Sequence, residues 1–210
     1  TKHKANLTIV AGSQQLRTEL WKSYPEEIIQ KALDDTPEEL LREMVKHLSS
    51  VATVSDAYII VHDKDKKEVW NPELQKYEQV LKASHVHFLF KFSEGGTLSD
   101  VANALGLETQ YLEKPKSGRY AYDNLLAYLV HAKDSNKFHY SPSDVVTLIG
   151  ENYETLYNER IRAWEKGRAK KTSKLAKFDV EALIIEIIEG KIKKEAWPPH
   201  LIICCFELLP

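Results

Sequence analysis

The sequence predicts an α+β domain built on an antiparallel sheet. Short runs rich in β-branched and aromatic residues, which are typical of strands, alternate with segments whose apolar residues recur at helical spacing. Their order along the chain is strand, helices, strand, strand, helix, strand, helix, and this order indicates two packed layers. The chain has 210 residues, of which 43% are hydrophobic and 29% are charged. This ordinary globular composition excludes a disordered or collagen-like protein.

The first elements are a strand and two helices. Leu7–Val10 is a short β-branched run that predicts a strand, and Pro25 opens a helix. A second helix is expected to begin with Thr36 as its N-cap, Pro37 in its first turn and Glu39 at the capping-box position. Apolar residues at helical spacing predict that this helix has one buried face, formed by Leu40, Leu41, Met44, Val45 and Leu48.

Two strong strands follow, and a long polar segment joins them. The first lies within Val51–Val61 and the second within His85–Phe92. The connection is therefore predicted to be a long exposed hairpin, and connections of that length are often functional.

A helix, a strand and another helix complete the domain. The first helix is capped by Thr97 or Ser99, a strand is predicted near Thr109–Leu112, and the second helix spans about Tyr120–His131. This order is similar to a ferredoxin-like split βαβ arrangement with additions. The chain is predicted to be helical beyond Asn152.

Charge and cysteine content bound the setting of the protein. The segment from Glu159 to Lys177 carries eight basic and two acidic residues, whereas the segment from Glu19 to Lys46 carries eight acidic and four basic ones. This asymmetry indicates either a contact with a polyanion or a solvated helix face. We expect a cytoplasmic protein without a membrane partner. The sequence has two cysteines, no apolar run long enough to span a membrane and no signal-peptide pattern.

Four potential metal ligands are expected to meet at two strand ends. His85 and His87 lie two residues apart on a strand, so both side chains point to one face. They are either half-buried strand residues or ligands that share a cation. If His62, at the end of the preceding strand, pairs with the His85 end, three imidazoles converge, and Asp65 can add a carboxylate oxygen. Such a donor set suits Mn²⁺, Mg²⁺ or Zn²⁺.

Tyrosines on the last predicted helix offer a nucleophile. Tyr120, Tyr122 and Tyr128 lie on this helix or at its start. A helical tyrosine is usually a core residue, but beside a metal that polarises a phosphodiester a phenol can attack phosphorus.

Three ordered motifs resemble the HUH endonuclease superfamily. They are the block His62–Asp65, the strand motif His85–His87 and the helix motif Tyr128–His131. Within that superfamily the chain resembles the rolling-circle replication initiators of small Gram-positive plasmids. The likeness covers Leu7–Glu151 and is strongest over Tyr58–Tyr140.

The resemblance implies a mechanism and a set of site residues. It implies that Tyr128 is the nucleophile. It also implies a divalent metal ion as the cofactor, with Mn²⁺ preferred over Mg²⁺. The implied metal ligands are His62, Asp65, His85 and His87. Single-stranded DNA at a hairpin origin would be nicked to give a 5′-phosphotyrosine and a free 3′-OH, with flanking duplex DNA and the host replication machinery as partners. Tyr122 lies six residues before Tyr128, not the four of two-tyrosine relatives, which favours a single nucleophile.

The resemblance also divides the chain into three parts. We expect an HUH origin-binding and endonuclease domain over 1–152, a basic helical linker over 153–177 and a C-terminal helical segment over 178–210. The last segment is a candidate oligomerisation element, whole or truncated, so a homo-oligomer is expected.

Basic and aromatic side chains near these motifs are candidates for DNA binding. Lysines and arginines would contact phosphates, and Trp70 and Tyr77 in the hairpin could stack on unpaired bases. The basic candidates are Lys64, Lys66, Lys67, Lys114, Lys116 and Arg119.

Three other functions fit the same residues. A transposase or mobilisation protein would use identical chemistry, a non-catalytic module would bind DNA without nicking it, and a phosphoesterase would use water in place of Tyr128. The role of His131 is left open as acid–base, orienting or packing.

Overall fold

The computed structural model describes residues 7–115, 118, 120–134 and 136–160. It confirms the α+β class, with a five-stranded antiparallel sheet, a separate two-stranded hairpin and several helices. The strands are β1 (Ile9–Gln15), β2 (Thr53–His62), β3 (Lys66–Asn71), β4 (Lys76–Leu81), β5 (His85–Glu94), β6 (Leu112–Glu113) and β7 (Val146–Ile149). The helices are α1 (Glu26–Leu33), α2 (Glu38–Leu48), α3 (Leu98–Leu105) and α4 (Ala121–Leu129), and residues 153–160 are also helical. The predicted C-terminal segment and residues 161–177 of the predicted linker lie outside the described residues.

The central sheet has the strand order β6-β1-β5-β2-β7, and each neighbouring pair is antiparallel. Strands β1, β2, β5 and β6 together reproduce the ferredoxin-like split βαβ order that the sequence predicts. The pattern predicted no strand at β7, which adds an edge beside β2. The β3–β4 hairpin is the predicted long connection between β2 and β5, and it forms a small sheet of its own.

Helices cover both faces of the sheet, so the prediction of two layers is wrong. Apolar residues of α1, α2 and α3 pack against one face of the sheet. Apolar residues of α4 and of the helical residues 153–160 pack against the other. The reason is visible in β2, where every residue from Ala57 to His62 is buried, because a strand that is apolar on both faces must be covered on both.

Two helix starts show different uses of a threonine. Thr97 caps α3 in a capping box with Asp100, which confirms the first of the two predicted caps. Thr36 does not cap α2, because Pro37 occupies the N-cap position and the Thr36 hydroxyl donates to the carbonyl oxygen of Lys31 at 2.7 Å. This hydroxyl therefore satisfies the end of α1 instead of the start of α2.

The strand predicted near Thr109–Leu112 is shorter than expected. Thr109–Tyr111 forms a single 3₁₀ turn, and the strand itself is the two-residue β6. Across the described ranges, no helix combines the length and the apolar character that crossing a membrane requires.

Candidate functional site

The register between β2 and β5 brings three histidines together. His62 lies directly opposite His85, and Ile60 lies opposite His87. Because side chains alternate along a strand, all three imidazoles point to the face that α4 covers. The ring centroid of His62 lies 5.4 Å from that of His85 and 4.3 Å from that of His87. The predicted convergence of His62 with the H-x-H strand is therefore present.

The base of the hairpin places Asp65 beside these rings. The backbone N–H of Lys82 donates to the carbonyl oxygen of Asp65 at 2.8 Å, which closes the hairpin at its first residues. The buried Asp65 carboxylate then lies with Oδ2 at 3.7 Å from His62 Nδ1 and at 3.5 Å from His85 Nε2. These separations are too long for good hydrogen bonds, so the carboxylate is close to the imidazoles without being bonded to them.

Backbone carbonyl groups orient two of the imidazoles. His62 Nε2 lies 2.8 Å from the carbonyl oxygen of Leu129, and His85 Nδ1 lies 3.0 Å from that of Ala83. A carbonyl oxygen only accepts, so these nitrogens carry the protons. The other nitrogens, His62 Nδ1 and His85 Nε2, therefore present lone pairs towards Asp65, as in metal sites whose ligands are oriented by a second hydrogen bond.

Burial keeps the imidazoles of His62 and His87 neutral. It lowers the pKa of His62 to about 3, and the positive charge that His131 and His85 would carry opposes protonation further. Burial also holds the pKa of His87 well below its ordinary value. A neutral imidazole is the form that binds a metal ion.

The residues fit a divalent cation. One ligand atom from each of His62, His85 and His87 lies within 4.8 Å of the others. A second set with the same property consists of His62, Asp65 and His131. Buried neutral nitrogens and a carboxylate oxygen are donors that bind Mn²⁺, Zn²⁺ and related ions.

Tyr128 lies in the last turn of α4, beside the cluster formed by His62, Asp65, His85, His87 and His131. Its side chain is 41% exposed, and its ring packs edge-on against His87 and His131 at centroid distances of 5.4 and 5.7 Å. The Lys137 ammonium lies 5.0 Å from the centroid of the same ring. Tyr128 is therefore both accessible to a substrate and adjacent to the candidate metal ligands.

The other two tyrosines of this helix are placed differently. Tyr120 is exposed at the N-cap of α4. The hydroxyl of Tyr122 is buried, its ring packs against Lys91 and Arg160, and burial raises its pKa. Of the three, Tyr128 alone borders the cleft described next.

An open cleft of about 660 Å³ contains the exposed edges of the cluster. Asp65, His85, His87, Tyr128 and His131 line it, and so does Tyr111 from the turn before β6. Its basic lining residues are Arg17, Lys67, Lys82 and Lys137. A cleft with this lining attracts a polyanion and can hold phosphates.

Some predicted DNA contacts lie near the cluster and others do not. Lys64 and Lys66 line a second cleft that shares Asp65 and Lys67 with the first, and Lys114 is exposed after β6. Lys116 and Arg119 lie outside the described residues.

The sequence pattern did not indicate several residues of the site. Tyr140 stacks on His62 at 4.0 Å between ring centroids, and its hydroxyl accepts a hydrogen bond from the Lys64 N–H at 2.9 Å. Arg17, Lys82 and Lys137 join the cleft from three different segments. For Lys137 and Tyr140, the preceding motif Tyr128–His131 indicated a functional segment. We found no such signal for Arg17 or Lys82.

Comparison with known families gives one result for this chain. A family model described as plasmid replication protein, origin binding domain, matches residues 29–154. The matched range contains all the histidines of the cluster, Asp65 and Tyr128. A comparison with curated proteins finds no match.

Proposed function

Because this chain belongs to the family of plasmid replication proteins that share this origin-binding domain, we propose that it is a metal-dependent endonuclease and strand transferase for single-stranded DNA. It nicks a plasmid origin through a covalent tyrosine intermediate and so initiates rolling-circle replication. The observation that carries this proposal is the position of Tyr128, exposed in a basic cleft and packed against His87.

The cation would be held by His62, Asp65, His85 and His87, and Mn²⁺ or Mg²⁺ is the proposed ion. When bound, such an ion polarises a phosphodiester and stabilises the charge that develops on it. Backbone carbonyl groups fix the orientation of the His62 and His85 rings, and the low pKa of His62 leaves its Nδ1 lone pair free without a prior loss of a proton.

The chemical step balances without an external energy source. The Tyr128 phenolic oxygen forms a bond to phosphorus and loses its proton, and the bond from phosphorus to the 3′ oxygen breaks. The products are a 5′-phosphotyrosine and a 3′-OH, which a host polymerase can extend. Because the phosphoester bond is kept, attack by another 3′-OH reverses the step and rejoins the strand.

The cleft supplies binding energy for the strand. Arg17, Lys67 and Lys82 lie around the cluster, and contacts from such residues to phosphates set position and salt dependence. We propose single-stranded DNA at a hairpin origin as the substrate, with Trp70 and Tyr77 stacking on unpaired bases outside the cleft.

A denaturing gel tests the mechanism. The protein is incubated with Mn²⁺ and single-stranded oligonucleotides that cover the region around its own gene. We expect a slow band that resists SDS and disappears with a chelator. Tyr128→Phe should abolish it, whereas Tyr111→Phe, which changes the other tyrosine of the same cleft, should retain it.

Two results would contradict the proposal. Cleavage that survives Tyr128→Phe without a covalent band would identify water as the nucleophile. Tight binding of the oligonucleotides with neither a band nor cleavage would favour a non-catalytic module.

A further inference from the structure

His131 occupies a backbone position that does not favour histidine. It follows the C-cap of α4, Val130, and has φ of 56°, in the left-handed region. Glycine is the common residue at this position, and another residue pays about 1–2 kcal/mol for the conformation. The His131 side chain is nevertheless buried, with 1% exposed. Ending the helix explains neither the imidazole nor its burial.

His131 and two neighbouring residues each carry a buried polar atom without a hydrogen-bond partner. In the described part of the chain, five buried side-chain polar atoms have no hydrogen-bond partner, and three of them are His62 Nδ1, Asp65 Oδ1 and His131 Nε2. A buried polar atom without a partner costs about 1–3 kcal/mol. The same three residues form the second set whose ligand atoms lie within 4.8 Å of one another.

All three atoms are acceptors. His131 Nδ1 lies 3.1 Å from the carbonyl oxygen of Phe138 and must carry the proton, so Nε2 holds a lone pair. The same reasoning gives His62 Nδ1 a lone pair, because Nε2 donates to Leu129. Asp65 Oδ1 is a carboxylate oxygen, and its distance of 3.6 Å from His131 Nδ1 is too long for a good hydrogen bond. One water molecule has two hydrogens and cannot satisfy three acceptors, whereas a cation can.

We propose that His62, Asp65 and His131 form an inner position for a divalent cation, beside the outer position formed by His62, His85 and His87. The Asp65 carboxylate lies between the two, because its Oδ2 faces His62 and His85 and its Oδ1 faces His131. This inference rests on the proposed function, since it concerns the same metal centre and adds His131 to it. The two positions share His62, and one ring nitrogen binds one ion, so they are occupied alternately.

The geometry separates the two positions. The ring of His131 lies 4.5 Å from that of His62 but 5.8 Å from that of His87, measured between centroids. His131 borders the same cleft as His85 and His87, but it is buried more deeply than His87, with 1% of its surface exposed against 6%. An ion in the inner position has two nitrogen donors and one carboxylate oxygen, a donor set that binds divalent transition-metal ions.

Mn²⁺ binding, followed by the electron paramagnetic resonance signal of the free ion, tests this proposal. The variant His87→Ala removes an outer ligand and should still bind Mn²⁺. Adding His131→Asn should weaken that residual binding by about tenfold or more, the size of effect seen when a metal site loses a supporting group. His131→Gly should give the same loss. Both replacements tolerate a positive φ, so the fold should survive, and circular dichroism checks this.

His139→Ala is the matched control, because His139 is an exposed histidine of the same segment and belongs to neither set. It should leave Mn²⁺ binding in the His87→Ala background unchanged. If His87→Ala alone abolishes binding, or if the two His131 replacements leave it intact, there is no inner position. If the wild-type chain binds no Mn²⁺, the metal-dependent function fails as well.

Discussion

His62 and His87 are neutral because their surroundings penalise a positive charge. The largest cause is burial, and the neighbouring imidazoles add repulsion if more than one becomes protonated. Burial also lowers the pKa of His131, although the Asp65 carboxylate and the Phe138 carbonyl partly offset this effect. The folded chain therefore resists binding protons that the unfolded chain accepts.

This difference predicts a loss of stability in mild acid. In the unfolded chain these histidines titrate near 6.5, while in the folded chain the pKa of His62 is about 3. The unfolded chain thus binds more protons below pH 6.5, so stability is complete above that pH and is lost as the pH falls. Between pH 7.5 and 5.5 we expect a loss of about 1.4 kcal/mol from His62.

Urea unfolding of the metal-free protein in a chelator measures this loss. His62→Gln should lose less stability over the same pH interval than the wild type, because one titrating group is gone. His139→Ala, at an exposed position, should behave as the wild type does. A free energy of unfolding that stays constant from pH 7.5 to 5.5 would contradict the burial argument.

At the scale of elements, the β3–β4 hairpin presents a surface that folding does not require. Trp70 lies opposite Tyr77, with ring centroids 5.2 Å apart, and the two side chains are 49% and 66% exposed. Val80 lies on the other face of the hairpin, because it is three residues from Tyr77 along the strand. The aromatic pair is thus available to stack on bases while contributing little to the core.

Replacing Trp70 of this pair should weaken DNA binding without lowering the stability of the fold. Stacking on an aromatic side chain contributes about 1–3 kcal/mol per base, so Trp70→Ala should weaken binding of single-stranded DNA roughly 5–150-fold. Fluorescence anisotropy with a labelled oligonucleotide measures the affinity, and thermal unfolding checks the fold. Val80→Ala is the control for the opposite face. Equal losses for both variants would mean that the aromatic face has no special role.

At the scale of the whole molecule, a bound cation would join three separate parts of the fold. His85 and His87 belong to the sheet, Asp65 to the base of the hairpin, and His131 to the end of α4. A ligand that binds only the folded state stabilises it, by about 2.7 kcal/mol at a concentration 100 times Kd.

We therefore expect Mn²⁺ to raise the free energy of unfolding by this amount and a chelator to reverse the gain. His62→Ala should remove the gain, because His62 belongs to both ligand sets. Thr97→Ala should lower stability by about 1 kcal/mol through loss of the α3 cap and still show the full gain from Mn²⁺. Retention of the gain in His62→Ala would place the metal elsewhere.

The central part of the site was predictable because its determinants are local. Strand periodicity places His85 and His87 on one face, and a single antiparallel pairing puts His62 opposite them. The position of His131 in the site was not predictable, because it depends on the left-handed backbone conformation of His131 at the end of α4. Tyr140 reaches His62 through a turn whose path the periodicity does not describe.

The fold was predicted to a similar depth. The strands with strong apolar patterns were identified, whereas β7 was missed because its four residues are only half-buried and its pairing with β2 is tertiary. The contrast between Thr36 and Thr97 has the same origin, since a hydroxyl at a helix start can bond forward to its own helix or back to the preceding one.

The insertion of the hairpin between two ligand-bearing strands has an evolutionary consequence. It leaves the sheet after His62 and returns at His85, and the bond from Lys82 to Asp65 closes it at its base. The part of the hairpin beyond Lys67 can therefore change in length without disturbing the pairing of His62 with His85. If the chain nicks DNA as proposed, exchanging the outer part of this module would alter the DNA contacts and leave the histidines of the two strands in place.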